Sequence, residues 1–143
     1  MSWHAAIVRI RGPFRPVGDV AADDYLPLGT LDAVKEAVRA AFPDATWDSP
    51  TYAHRALDKY TGMMISLDGV EKSNCVIVSV SGPGNPVPEL LSLTNANAWL
   101  VVDCQSSEFI DPRGDKSDGF EGYKSMWHDL QRDLRRGGGS GQE

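Results

Sequence analysis

The chain has 143 residues, 41% hydrophobic and 24% charged, and its 20 acidic and 14 basic side chains leave a formal net charge of -6. That length makes one domain the economical reading, with roughly 68–70% of the unfolded chain's surface removed on folding, and the apolar content excludes wholesale disorder. The negative field repels nucleic acid phosphates and attracts a basic protein, and no run approaches the ~18 apolar residues of a membrane span.

In chain order, the segment AAIVRI at residues 5–10 reads as a first strand, ended by Gly12-Pro13 and Pro16. Residues 11–29 are rich in Pro, Gly and Asp and read as a long loop carrying the acidic pair Asp23-Asp24. Thr30 is placed to cap the next segment, because its hydroxyl can accept an orphan N–H of a first helical turn. Asp32 then lies near the positive end of that helix. Leu31, Val34, Val38, Ala41 and Phe42 follow helical spacing, Lys35, Glu36 and Arg39 take the opposite face, and Pro43 stops the helix.

A β-rich half follows. TWDS and YAHRAL are short strand candidates separated by Pro50, and GMMISLDG and SNCVIVSVSG read as longer strands joined by hairpin turn chemistry at LDGVEKSN. In the last of these Val76, Val78 and Val80 share one face and Ile77 lies on the other, so its centre is expected to be buried on both sides. SGPGNPVP breaks the strand. Pro88 suits the first turn of a second helix, ELLSLTNANA, with Asn85 or a neighbour as its cap. WLVVDC is a further strand and EFI a short hairpin arm beside it.

The last segment, FEGYKSMWHDLQRDLRR, repeats Phe120, Tyr123, Trp127, Leu130 and Leu134 at three- and four-residue steps. It is an amphipathic helix with Arg132, Arg135 and Arg136 at the end where the dipole favours cations. Gly137 is expected to end it, leaving residues 137–143 as a flexible Gly-rich tail after a single domain at 1–136. The fold class is α+β, a mainly antiparallel sheet with helices on one face, in the order β-α-β-β-β-α-β-(β)-α.

The two cysteines, Cys75 and Cys104, lie far apart, without zinc spacing, and read as buried free thiols. With no basic leader before an apolar segment, the expected compartment is the cytoplasm. Asp103, Glu108, Asp111, Asp115 and Asp118 fall within sixteen positions. A calcium loop read from Asp111 would place Arg113 and Lys116 where ligands belong, and one read from Asp115 would place Gly119 there, so no metal and no cofactor is expected. Asp103, after LVV, is the one carboxylate of the group expected to be partly buried, and a single buried carboxylate makes no acid–base dyad. Pro83 and Pro86 remove N–H donors that a phosphate loop would need at SGPGNP. His54 has no local signature that would pair it with Cys75, and His128 reads as a boundary residue of its helix.

From Gly82 to Asp111 the layout resembles a loose class of small uncharacterised bacterial α+β proteins. Its residues are the Gly84-Asn85-Pro86 turn before a helix, Trp99 leading a strand, and DCQSSEFID at 103–111. Proteins of that kind include immunity proteins that neutralise toxins, so the resemblance implies a binding role and assigns no site. The acidic run itself carries the expectation of a docking surface formed by Asp103, Glu108, Asp111, Asp115 and Asp118, with Asp23 and Asp24 adding to its field. The expected function is therefore a non-enzymatic immunity protein that binds a basic protein partner, in monomeric form. Two alternatives stay open. One is a small enzyme using Asp103, His54 or Cys104, and the other is an assembly subunit that dimerises through its C-terminal helix.

Overall fold

A computed structural model describes residues 2–114 and 117–139, and the backbone alone at 118, 127, 130, 131 and 133–139. Its strands are β1 (Trp3–Ile10), β2 (Tyr25–Leu26), β3 (Gly29–Thr30), β4 (Thr46–Ser49), β5 (Tyr52–Asp58), β6 (Thr61–Leu67), β7 (Lys72–Ser73), β8 (Val76–Ser81), β9 (Leu100–Asp103) and β10 (Glu108–Phe109). Its helices are α1 (Leu31–Ala41), α2 (Val87–Asn97) and α3 (Asp118–Gly139). The main sheet runs β10-β9-β1-β8-β6-β5-β4, with β2 on the far end of β1, and β3 and β7 form a separate ribbon. Every described pairing is antiparallel, as the sequence led us to expect.

Register and the two-residue strand period sort the side chains into two faces. One row crosses the sheet as Asp103, Ala5, Val78, Ile65, Ala53 and Trp47. Ala5, Val78, Ile65 and Ala53 are completely buried there. Val34 and Val38 of α1, Leu90 and Leu93 of α2, and Phe120 and Tyr123 of α3 join the same core cluster. The helices therefore cover this face. The opposite face is open, and Ile77, expected to be buried, is 39% exposed. Its neighbours in register are Ala6 and Ser66, and the buried residues described for the three helices join the core on the other face.

Local chemistry sets the element ends. Thr30 Oγ1 accepts the Ala33 N–H at 3.2 Å and opens α1, which stops at Ala41 ahead of Pro43. Asn85 Oδ1 accepts the Val87 N–H at 3.0 Å, and Pro88 sits in the first turn of α2. Arg55, on the core side of β5, binds Asp44 at 3.0 Å and also Glu89 of α2, and its guanidinium lies 5.1 Å from the Phe42 ring. Burial lowers the Arg55 pKa, and the hydrogen bonds to Asp44 and Glu89 outweigh it to leave a net rise. Tyr123 Oη accepts the buried Gly82 N–H at 2.9 Å and ties α3 to the end of β8.

Several expectations are corrected. The loop at 11–29 contains two 3-10 turns as well as β2 and β3. The β6–β8 hairpin forms as expected, but its connection also holds β7, which pairs with β3, and Asp68 Oδ1 organises it by accepting from Ser73 Oγ and the Asn74 and Cys75 N–H groups. Both cysteines are free thiols, but Cys104 is exposed and Cys75 half-buried. Cys104 directly follows β9 and its N–H still bonds the His4 carbonyl of β1 at 3.1 Å, so strand alternation puts its side chain on the open face, opposite to Asp103. Helix α3 begins two residues before Phe120 and reaches Gly139, not Gly137. Helix ends commonly shift by one or two residues when glycines can still take helical dihedrals. The remainder of the expected tail, 140–143, lies outside the described residues. Phe120 and Tyr123 are buried in the chain's own core, while the Trp127, Leu130 and Leu134 side chains lie outside the described set. No helix of the described residues is long and apolar enough to cross a membrane.

Candidate functional site

Asp103 ends β9 on the core side of the sheet, opposite Ala5 on one neighbour and Glu108 on the other. It is 1% exposed. The turn that follows is built on it. Its Oδ1 accepts the Gln105 N–H at 2.9 Å and the Ser106 N–H at 3.3 Å, while its carbonyl accepts the Ser107 N–H at 2.7 Å. This is the self-capping turn that Asp forms readily. Ser107 completes the reversal with φ of 60°, and β10 returns alongside β9. Trp3 of β1 donates its indole N–H to the same Oδ1 at 3.2 Å.

The second carboxylate oxygen is different. Oδ2 of Asp103 is buried and has no hydrogen-bond partner among the described residues. An unmet buried acceptor is costly, more so when it carries charge. Gly119, in the first turn of α3, lies directly against this carboxylate, and a Cβ there would overlap it. Ser117 sets the helix start by accepting the Phe120 N–H at 3.1 Å on its Oγ. The helix thus presents its positive end near the carboxylate.

These elements enclose a surface cavity of about 180 Å³ lined by Asp103, Ser106, Glu108, Asp111 and Ser117, with Phe109 and Ile110 as its apolar wall. Asp111 Oδ1 accepts the Arg113 N–H at 2.9 Å, which holds the loop turn at its rim. A larger groove, about 550 Å³, adjoins it. Phe14, Pro16, Val17 and Gly18 of the first loop form one wall of the groove, and Ser107, Glu108 and Phe109 form the other. The Phe14 and Phe109 rings lie 5.9 Å apart. Glu108 and Phe109 line both hollows, so an acidic cavity opens beside an apolar groove.

No protein-family model and no curated protein sequence matches the chain. The site therefore rests on its own geometry.

Of the acidic residues singled out in the sequence, Asp103, Glu108 and Asp111 come together around one cavity. Asp23 is exposed on a 3-10 turn. Asp24, on the same turn, is engaged by Arg15 at 2.9 Å and Arg11 at 3.8 Å, so its charge is met locally. The first loop does reach the acidic stretch, but through Phe14. Asp118 was expected on the loop and instead is the first residue of α3, with its side chain outside the described set. Asp115 lies outside the described residues.

Asp103, His54 and Cys104, the candidates for an enzymatic centre, are not assembled into one. His54 lies on β5, separated from β9 in the sheet by β6, β8 and β1. It points to the open face, where its Nδ1 meets Asp48 at 2.7 Å. Burial, and secondarily the Asp103 charge, push the Cys104 thiol up, away from the reactive thiolate. His4 lies on the open face, where its ring nitrogens meet Ser79 Oγ at 2.8 Å and Ser2 Oγ at 3.2 Å. Among the described residues no group of three or more His, Cys, Asp or Glu is placed to hold a metal ion.

Sequence reasoning missed Trp3, Ser117, Gly119 and the Phe14–Phe109 groove. Ser117 ahead of an apolar-periodic run is a helix-start signal and would have placed the start of α3 correctly. Nothing local marks Trp3 or Phe14 as neighbours of residues about a hundred positions away.

Proposed function

We propose that this chain is a non-enzymatic bacterial binding protein of the toxin-immunity type, acting in the cytoplasm as a monomer that covers a basic protein partner with its acidic face. The observation that carries the reading is the convergence of Asp103, Glu108 and Asp111 on one cavity beside an apolar groove. A polar rim around an apolar contact area is the usual anatomy of a protein interface. Rim carboxylates such as Glu108 and Asp111 raise the rate of encounter with a basic partner, and groups buried on binding govern release. The docking of Phe120 and Tyr123 into the chain's own core favours the monomer.

The test is a pull-down with the full chain from its native organism, followed by association kinetics with the captured protein. Glu108→Lys/Asp111→Lys should slow association and flatten its salt dependence, because the Debye length falls from ~10 Å at 0.1 M to ~3 Å at 1 M. A folded double variant with an unchanged association rate at low salt would remove this face as the docking surface.

A further inference from the structure

The open face of the main sheet is unusually poor in charge. Register carries one row across it as Phe109, Val102, Ala6, Ile77, Ser66 and Tyr52. The next row runs from Cys104 through His4, Ser79, Met64 and His54 to Thr46. No Lys, Arg, Asp or Glu stands in either row. The chain is 24% charged, so two rows of six would carry about three charges at its own average. Asp48, on the edge strand β4, meets His54 Nδ1 at 2.7 Å, so its charge is engaged at the border of the face. An antiparallel sheet that faces water turns polar side chains outward. Here Ile77 and Met64, on the neighbouring central strands β8 and β6, are each 39% exposed. Exposed apolar side chains in an area depleted of charge mark a surface that is covered in use.

We propose that free chains pair through this face, two copies stacking sheet on sheet about a two-fold axis. A charged partner finds no counter-ion in either row, and a charge buried there would be left unpaired. The occupant must be flat, apolar and uncharged. The chain's own open face has those properties, and a two-fold axis sets that face against itself. Sheets stack in this way about 10 Å apart, with their strand directions about 30° apart. Size agrees as well. Strands ~4.8 Å apart with a two-residue repeat of ~6.8 Å give each outward residue about 33 Å², so about twenty outward positions cover roughly 650 Å². A stable interface takes about 600–1,000 Å² from each copy.

The inference goes beyond the docking reading and does not rest on it. The two meet at Phe109, which stands in the first row and also lines the groove beside the acidic cavity. A partner seated in that groove displaces the second copy, so the monomer is the form that docks.

Sedimentation equilibrium of the full chain over a concentration series tests the pairing. Wild type should move from monomer to dimer below about 1 mM, where even a micromolar contact is filled. Raising salt from 0.1 to 1 M should tighten the pair, because it screens the repulsion between two chains of net charge -6. Ile77→Lys and Met64→Lys should each raise the dimer Kd at least about a hundredfold, since the two-fold pair buries the new ammonium twice. Val70→Lys is the control: Val70 is 87% exposed in the β6–β8 connection, off both rows. The second measurement needs no variant. In methyl-labelled wild type the Ile77 and Met64 methyl resonances should shift on dilution along the same curve as the mass.

A wild-type chain that stays monomeric at about 1 mM would overturn the proposal and leave the face to a different protein. A dimer whose Ile77 and Met64 methyls do not shift, or one that folded Ile77→Lys and Met64→Lys chains still form at the wild-type Kd, would overturn it too. The docking surface is judged separately, by the charge-reversal kinetics.

Discussion

The carboxylate of Asp103 occupies the space that a side chain at Gly119 would fill. One residue ends β9, which lies between β10 and β1, and the other belongs to the first turn of the C-terminal helix. Their contact brings the start of α3 against the end of β9, and Asp103 itself lines the acidic cavity. It also ties the stability of the helix dock to the residue that carries the functional reading.

Gly119→Ala therefore tests the contact through the sign of its effect. Helix propensity alone favours alanine over glycine by about 1 kcal/mol. The overlap with a buried, firmly held carboxylate should outweigh that, leaving a net loss of about 1–2 kcal/mol. Gly122 is the control, since a Cβ there meets nothing within 4 Å, and Gly122→Ala should raise stability by about 0.5–1 kcal/mol. Denaturant melts of the two variants check this. If both glycine variants stabilise, α3 does not approach Asp103 as described.

A second expectation concerns acid. Burial would raise the Asp68 pKa, but hydrogen bonds from the Cys75 N–H, the Ser73 hydroxyl and the Asn74 N–H outweigh it and hold the carboxyl below its ordinary 3.8. A depressed folded-state pKa means that the unfolded chain binds the proton more readily. The contribution is then complete above pH 3.8 and is lost as pH falls from there through the folded value. Asp68→Asn should be less stable than the wild type at neutral pH, and the gap should narrow below that point. Thermal melts from pH 7 to pH 2.5 follow it, and a gap that widens in acid would contradict the assignment.

A third concerns the exposed thiol. Cys104 has its pKa raised above 9.0, first by burial and then by the neighbouring Asp103 charge. Alkylation at pH 8 should be slower than for a free cysteine, because the thiolate is the reacting form. Asp103→Asn removes one of the two causes and should speed the reaction, with Cys75→Ser as background to isolate the signal. A wild-type rate equal to that of a free thiol would show that Cys104 does not feel the Asp103 carboxylate.

Much of the fold was determined by the sequence itself, because its signals are local. The Thr30 cap, the Val34–Val38 spacing and the Pro43 stop mark α1 within a dozen residues. Alternation in Val76, Val78 and Val80 marks one face of β8, and the short return arm at Glu108–Phe109 is visible from its spacing behind β9. The α+β class follows from those periods, since each amphipathic element must bury its apolar side against another. Exposure of Ile77 could not be read the same way: a β-branched run looks alike whether one face or both are covered, and only the placement of the helices decides.

The site divides along the same line. That an acidic stretch follows β9, and that Asp103 is the buried member of it, is legible from hydrophobic residues running directly into carboxylates. That Asp103 falls in register with Ala5 and Val78, takes the Trp3 indole N–H and leaves Oδ2 unmet among the described residues was decided only by tertiary structure. So were the loss of Asp24 to Arg11 and Arg15 and the arrival of Phe14 beside Phe109. Periodicity reports which side of an element is apolar, while strand register and loop path report what that side meets, and those depend on pairings between residues far apart in the chain.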